Sequence, residues 1–401
     1  MVRQSRFTLA LVTALVSMGV LSISLYVPSL PAIRAEFAVG PDAVQRTLTF
    51  FLVGFAGAQL VIGPLSDRFG RRPVLLGGLI GYMAAGLLCA MAPDILSLTI
   101  GRFLQGFAAC VGPVVGRAVV RDLFEGPAAG RAFGLIGTAL AVVPALAPIL
   151  GGVIQTRLGW EAAFLTLAAV GLALFAICMR RLDETIRERL PNAMEPARLL
   201  TIYGGLIRNR YYVGHAMAGG FVFGGFFGYM TDAPFLFIEE LQVPPDLFGF
   251  LLVFTVAGYA SGSYTSGRLA GVLPGRHIIL AGTGIAVAAA LMLLAFSEEL
   301  SLARVIGPMT LYALGFGLTL PASLAGALGP FPRVAGSASA LLGFIQMAAA
   351  GASSAIVQPL YDGTARSLGL VVLGMSVTAL VGYAVLTHGR TPAEADRESA
   401  R

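Results

Sequence analysis

Residues 63–72 read Gly63-Pro64-Leu65-Ser66-Asp67-Arg68-Phe69-Gly70-Arg71-Arg72, with four charged side chains between two long apolar runs. Roughly 20 uncharged residues lie on each side, the length of helix that crosses a bilayer's hydrocarbon core. A soluble fold has no use for such a string there. A membrane protein does, as a short positive loop joining two spans.

Moving outward from this loop, the rest of the 401-residue chain fits the same picture. It is 57% hydrophobic and 12% charged, with a mean hydropathy of +0.82. A globular domain carries about a quarter charged residues, so most of this chain has too little polar surface to face water. Apolar runs predict an all-α membrane protein with twelve spans, near 7–30, 44–66, 73–92, 95–120, 132–154, 161–180, 211–236, 246–267, 277–296, 302–325, 334–358 and 366–387. Prolines inside them (Pro28, Pro31, Pro144, Pro148, Pro234, Pro308, Pro321) are tolerated because neighbouring helices satisfy the freed backbone groups. The stretch Phe7 to Val27 is longer than a signal core and shows no small-x-small cleavage site, so it reads as a retained first span.

The net charge of +6 suggests nucleic acid until the positions are examined. Every basic residue other than histidine is an arginine, and arginines on one side of the predicted membrane outnumber those on the other by about four to one. That asymmetry is the positive-inside pattern, and it puts both termini in the cytoplasm. Cys89, Cys110 and Cys178 lie in apolar runs without ligand spacing, and His215, His277 and His388 are too scattered for a metal site. No Walker-type lysine exists to bind ATP. The expectation is therefore no metal and no cofactor. An enzyme or sensor would need clustered catalytic residues or a sizeable soluble domain, and the sequence offers neither.

The longest polar interruption runs from Arg180 to Arg210 and predicts three parts: a bundle over 1–180, a cytoplasmic loop over 181–209, and a bundle over 210–401. Two echoes relate the halves. Tyr26-x4-Pro31 recurs as Tyr229-x4-Pro234, and Asp67-Arg68-Phe69-Gly70 recurs in degraded form as Gly267-Arg268-Leu269-Ala270, at offsets of 203 and 200. Two six-helix halves repeated in parallel form a known transporter plan.

Arg102 lies seven residues into the fourth span, about 10 Å along it. An arginine there costs about 2.5–3.5 kcal/mol on insertion scales. It either faces a cavity or partner, or snorkels outward along its stem. Asp232 has two possible settings. If the seventh span reaches about 236 it is an intramembrane carboxyl able to carry a proton; if the span ends near 231 it is a solvated loop acid among Glu239, Glu240 and Asp246. Tyr26, Phe226, Tyr229, Tyr259 and Gln346 either line a weakly polar pocket or pack against neighbours and lipid.

Several strings together resemble the major facilitator superfamily. They are the 63–72 loop, Arg102-Phe-Leu-Gln105-Gly106 with Arg121-Asp122 at the inner end of that span, Pro144-Ala-Leu-Ala-Pro148-Ile-Leu-Gly151-Gly152, and Tyr26-Val-Pro28-Ser-Leu-Pro31. With Asp183-Glu184-Thr185 opening the central loop, they look like the bicyclomycin/chloramphenicol-resistance (Bcr/CflA) branch of the drug–proton antiporters. The resemblance implies two rocking bundles that export small amphipathic compounds in exchange for protons across a bacterial inner membrane, with the chain acting as a monomer. It implies a conformational latch of Gly63, Asp67, Arg68, Gly70, Arg71 and Arg72 reaching Asp122, where the bland alternative is a loop that only sets topology. It assigns Arg102, Gln105 and Gly106 to the cavity, and Pro144, Pro148, Gly151 and Gly152 to a bend that ties flux to exchange, where the bland alternative is a generic kink. Two departures stand out. Ala147-Pro148 replaces a usual Gly-Pro, and Ser24 stands where the branch carries an aspartate. Asp232, at the matching stretch of the seventh span, suggests a relocated carboxylate. Without one, the alternative is a metabolite exporter or an uncoupled facilitator.

Overall fold

In hydrocarbon a backbone N–H or C=O finds no water, so each apolar run must close its own hydrogen bonds as a helix. The computed structural model describes residues 2–123, 142–144, 146–186, 194–270, 272–331 and 334–389, with no strand among them. In the first half the helices are α1 (Val2–Ser24), α2 (Leu30–Glu36), α3 (Pro41–Phe69), α4 (Arg71–Ala90), α5 (Ile95–Ala109), α6 (Val111–Leu123), α7 (Val142–Leu158) and α8 (Glu161–Arg181). Then follow α9 (Pro196–Arg208), α10 (Arg210–Pro234), α11 (Pro245–Leu269), α12 (Gly275–Ala295), α13 (Leu302–Leu328), α14 (Ala335–Val357) and α15 (Arg366–Leu386).

Eleven stretches among the described residues are long and apolar enough to cross a bilayer. They fall where the first four and last seven of the expected spans were placed, with ends that differ by up to several residues; α7 is the described part of the remaining one, whose predicted residues 132–141 lie outside the described residues. The first span is α1 and α2 joined by a 3-10 turn at Val27–Ser29, where Pro28 and Pro31 interrupt the ladder. The seventh continues past Pro234, which lacks an N–H, by widening into a π turn over Phe235–Glu240. Helix starts follow local chemistry. Asp94 accepts from the Ser97 N–H at 2.8 Å and Asn209 from the Tyr212 N–H at 3.0 Å. Those Ser97 bonds hold the Asp94 carboxyl below its usual range. Inside the stretch expected to be a loop, Pro196 opens α9, a short helix ending at Arg208 before Asn209.

The chain forms two units, Met1–Leu199 and Leu200–Arg401. Their internal packing repeats. In the first, α3 packs on α5, α4 on α5 and α8, and α1 on α6; in the second, α11 packs on α13, α12 on α13 and α15, and α10 on α13. Small residues permit these crossings. A Cβ at Gly106 of α5 would strike the Phe51 carbonyl on α3, and one at Gly262 of α11 would strike the Leu314 carbonyl on α13. Large apolar side chains such as Leu88, Leu96 and Leu172 stay more than half exposed, as suits surfaces that meet lipid.

Candidate functional site

The loop that decides the fold also carries a dense polar cluster of the described residues of the first unit. α3 ends at Phe69 and α4 begins at Arg71, so the turn depends on Gly70, whose φ of +105° a side chain rarely adopts. Arg71 is 4% exposed. Its Nη1 donates to Asp67 Oδ1 and to Ser66 Oγ, both at 2.6 Å, and its Nε donates to Asp122 Oδ2 at 3.1 Å. Thr185 Oγ1 donates to the same Asp122 oxygen at 3.1 Å. Glu184 accepts the Arg71 N–H at 2.9 Å on Oε1 and the Arg72 N–H at 3.3 Å on Oε2, which puts a carboxylate on the N-terminus of α4, where the helix dipole favours an anion. Arg72 also donates from Nη2 to the Met179 carbonyl at 2.9 Å, while Arg68 stays exposed with its guanidinium 5.2 Å from the Phe69 ring. Gly63 has open space where a Cβ would stand, so nothing at that position requires glycine on steric grounds. Ser66 and Glu184 were not among the expected latch residues. The available signal was an acid just past the basic end of the sixth span.

Arg102 is fully buried, which excludes snorkelling. Its guanidinium carbon lies 4.2 Å from the Phe51 ring centre, 4.5 Å from Tyr26 and 5.7 Å from Phe164, an aromatic box drawn from α3, the end of α1 and α8. Each such contact is worth about 2 kcal/mol once desolvated. Nη1 donates to Gln105 Oε1 at 2.5 Å and to the Ser22 carbonyl at 3.3 Å, whereas Nε and Nη2 have no hydrogen-bond partner among the described residues. No carboxylate among the described residues pairs with it. Gly106 lets α5 lie against α3 closely enough to bring Phe51 onto the guanidinium. The Tyr26 hydroxyl meets Thr47 Oγ1 at 2.6 Å.

Of the proline–glycine string on α7, Pro148, Gly151 and Gly152 are buried and Pro144 is half-buried. A Cβ at Gly151 would strike the Leu25 carbonyl, so this glycine permits close contact with the end of α1.

In the second unit α10 runs unbroken through Asp232, and the side chain is fully buried. Of the two settings left open by the sequence, the structure has the intramembrane one. Among the described residues neither carboxylate oxygen has a hydrogen-bond partner, and the Tyr229 hydroxyl and Ser353 Oγ are likewise unpartnered. Beyond the span, the Tyr361 hydroxyl donates to Glu240 Oε1 at 3.1 Å. Burial, with the carboxylates of Asp232 and Glu240 beside it, pushes the Tyr361 phenol up. Three of the expected pocket residues gather around Phe316, which the sequence did not single out. The Phe226 ring stacks on it at 5.4 Å and Tyr259 lies at 4.9 Å, with Tyr229 6.3 Å from Phe226. Tyr26 belongs instead to the Arg102 box, and Gln346 sits half-buried on α14, its backbone beside Gly220.

Comparison with known proteins places this architecture. The Major Facilitator Superfamily profile matches residues 10–355. The uncharacterized MFS-type transporter YdgK of Bacillus subtilis (strain 168) is 32% identical over 388 residues, covering 94% of each chain. A chloramphenicol resistance protein of Pseudomonas aeruginosa is 31% identical over 397 residues, covering 94% of this chain and 92% of its own. Among solved structures, a D-xylose-proton symporter superposes with a TM-score of 0.76 at 16% identity, over 98% of this chain and 99% of that one, and so speaks for the fold alone. With two repeated units of membrane-spanning helices and a profile match over most of its length, this chain belongs to the major facilitator superfamily of transporters.

Proposed function

We propose that this protein exports small amphipathic, drug-like compounds across the bacterial inner membrane in exchange for protons. The proton gradient supplies the energy, and the chain works as a monomer with both termini in the cytoplasm. One observation carries the proposal: each unit buries one charge that no described residue neutralises, Arg102 in the first and Asp232 in the second. A buried ion without a partner is costly, and binding a proton at Asp232 removes its charge. Substrate and proton would then compete for the charge balance that these two residues set. The aromatic cluster of Phe226, Tyr229, Tyr259 and Phe316 offers apolar faces with few fixed hydrogen bonds, which suits greasy substrates of varied shape. The Asp67–Arg71–Asp122–Glu184 cluster acts in this scheme as a latch that favours the outward-open state, and the α7 prolines and glycines tie flux to exchange. The relative that confers chloramphenicol resistance agrees with a drug-like substrate.

Ser24 in place of the branch's usual acid favours one alternative, a facilitator that has lost coupling. Purified protein in liposomes separates the two. Antiport requires that added substrate release protons and that an imposed pH gradient drive uptake. Substrate flux indifferent to the gradient would refute the exchange and leave the facilitator.

A further inference from the structure

Three helices of the second unit bring bare oxygens to one level. On α10, Gly225 packs on Met375 of α15, and a Cβ on Gly228 would stand 2.5 Å from Ser353 Oγ on α14. Asp232 follows Gly225 by seven residues and Gly228 by four, so it continues the stripe that faces α14 and α15. Its side chain leans back over the turn of Gly228, toward Ser353. α14 runs parallel to α10: Gly220 meets Ile345, Gly224 meets Ala349 and Gly228 meets Ser353. One more turn brings Asp232 level with Val357, the last residue of α14, so the C-terminus of that helix, whose dipole favours a cation, stands at the height of the carboxylate. α15 runs antiparallel. Gly214 meets Leu386 and Gly225 meets Met375, a register that puts Ser367 level with Asp232.

Asp232, Ser353 and Ser367 are each 2% exposed or less, and none of their side-chain oxygens has a hydrogen-bond partner among the described residues. Either hydroxyl could donate to the carboxylate, yet neither does. The far ends of α14 and α15, to which residues 332–333 and 390–401 attach, are about 30 Å from this level. Beyond the C-terminal end of α10 lie Tyr361, Glu240 and Asp362, so the nearby ionisable groups add negative charge. Arg366, at the start of α15, is exposed and faces Asp362. Two carboxylate oxygens and two hydroxyls thus converge with no donor to satisfy them, next to a helix C-terminus.

We propose that Asp232, Ser353 and Ser367 bind a sodium ion at the C-terminal end of α10. A single carboxylate carries one negative charge, which a monovalent cation balances; a divalent ion would leave net charge buried. Oxygen donors alone suit a hard ion, whereas transition metals take nitrogen or sulfur. Because all three side chains are enclosed, the space suits a small bare ion better than an organic ammonium or potassium. The bearing on transport rests on the reading of Asp232 as the coupling carboxyl: sodium and a proton then compete for one group.

The test uses the full-length chain in a neutral detergent and mildly alkaline choline chloride, with thermal unfolding followed as sodium or potassium replaces choline at constant ionic strength. Wild type should gain roughly 1–3 °C with sodium near saturation, and potassium should be at least about tenfold weaker. Asp232→Asn should abolish the shift. Ser353→Ala and Ser367→Ala should each raise the half-saturating sodium concentration about tenfold by removing one oxygen. Thr378→Ala, elsewhere on α15, should respond as wild type does. The serine variants lose only an unbonded oxygen, so they carry the test if Asp232→Asn does not fold. The proposal falls if wild type shows no sodium shift, if potassium acts equally, if Asp232→Asn keeps the response, or if both serine variants bind like wild type. Proton exchange is tested apart, by pH-driven uptake in sodium-free liposomes. Uptake there without any sodium shift sinks this inference alone; a sodium shift without pH-driven uptake removes the proton and keeps the site.

Discussion

Replacing Gly70 with alanine leaves every charge of the 63–72 loop in place, and so separates a latch from a loop that only sets topology. Gly70 sits at φ +105°, ψ 155°, and a Cβ there would collide with the Glu184 carboxylate. Forcing a side chain into that backbone region costs about 1–3 kcal/mol. As the carboxylate also has to move aside, α4 loses charge-assisted bonds from Arg71 N–H at 2.9 Å and Arg72 N–H at 3.3 Å. Such bonds are worth about 1.5–3 kcal/mol each when dry, and the Arg72 bond is discounted because it is exposed. Together the latched arrangement should lose about 3–5 kcal/mol, roughly two to nearly four powers of ten in the latch equilibrium. Transport in proteoliposomes should fall at least about tenfold, while the yield of inserted protein is unchanged because the arginine bias that sets topology is intact. Glu184→Gln should show the same defect in milder form, since the amide oxygen still accepts. Wild-type transport with alanine at position 70 would refute the latch.

Arg102→Lys should reduce transport at least about tenfold, because an ammonium cannot stack its plane on Phe51 and Tyr26 while reaching Gln105; full activity in liposomes would show that only the charge matters. Asp232→Asn should abolish uptake driven by a pH gradient while leaving substrate binding, measured by fluorescence quenching, within a few-fold of wild type; gradient-driven uptake at full rate would remove Asp232 from coupling. Gly106→Val should destabilise the first unit by about 1–3 kcal/mol, since its side chain has no room against the Phe51 carbonyl; an unchanged midpoint of thermal unfolding would contradict the close crossing of α3 and α5.

Where the sequence read well, the signal was local. An apolar run has one way to satisfy its backbone in lipid, so run length was enough to predict the spans. The same logic marked Arg102, because a lone cation in an apolar run demands an explanation wherever it points. Partners at long range were less visible. Glu184 reaches Arg71 across 113 positions, and nothing in its neighbourhood says which helix N-terminus it will cap. Phe316 looks like any other apolar residue of α13 until Phe226 and Tyr259 are seen against it. The helix α9 was hidden inside a stretch that its arginines and acids marked as polar.

Alone, the sequence determined the helical, many-span character of the chain and where the spans lie, because hydropathy acts residue by residue against the bilayer. The tertiary structure decided which charges are neutralised and which are stranded. Asp67 and Asp122 are matched to Arg71, whereas among the described residues Arg102 is enclosed by aromatic faces without a carboxylate and Asp232 is buried with neither oxygen bonded. The difference is physical: a helix in lipid is stabilised by its own backbone, whereas the state of a buried charge depends on atoms that distant parts of the chain bring within a few ångströms.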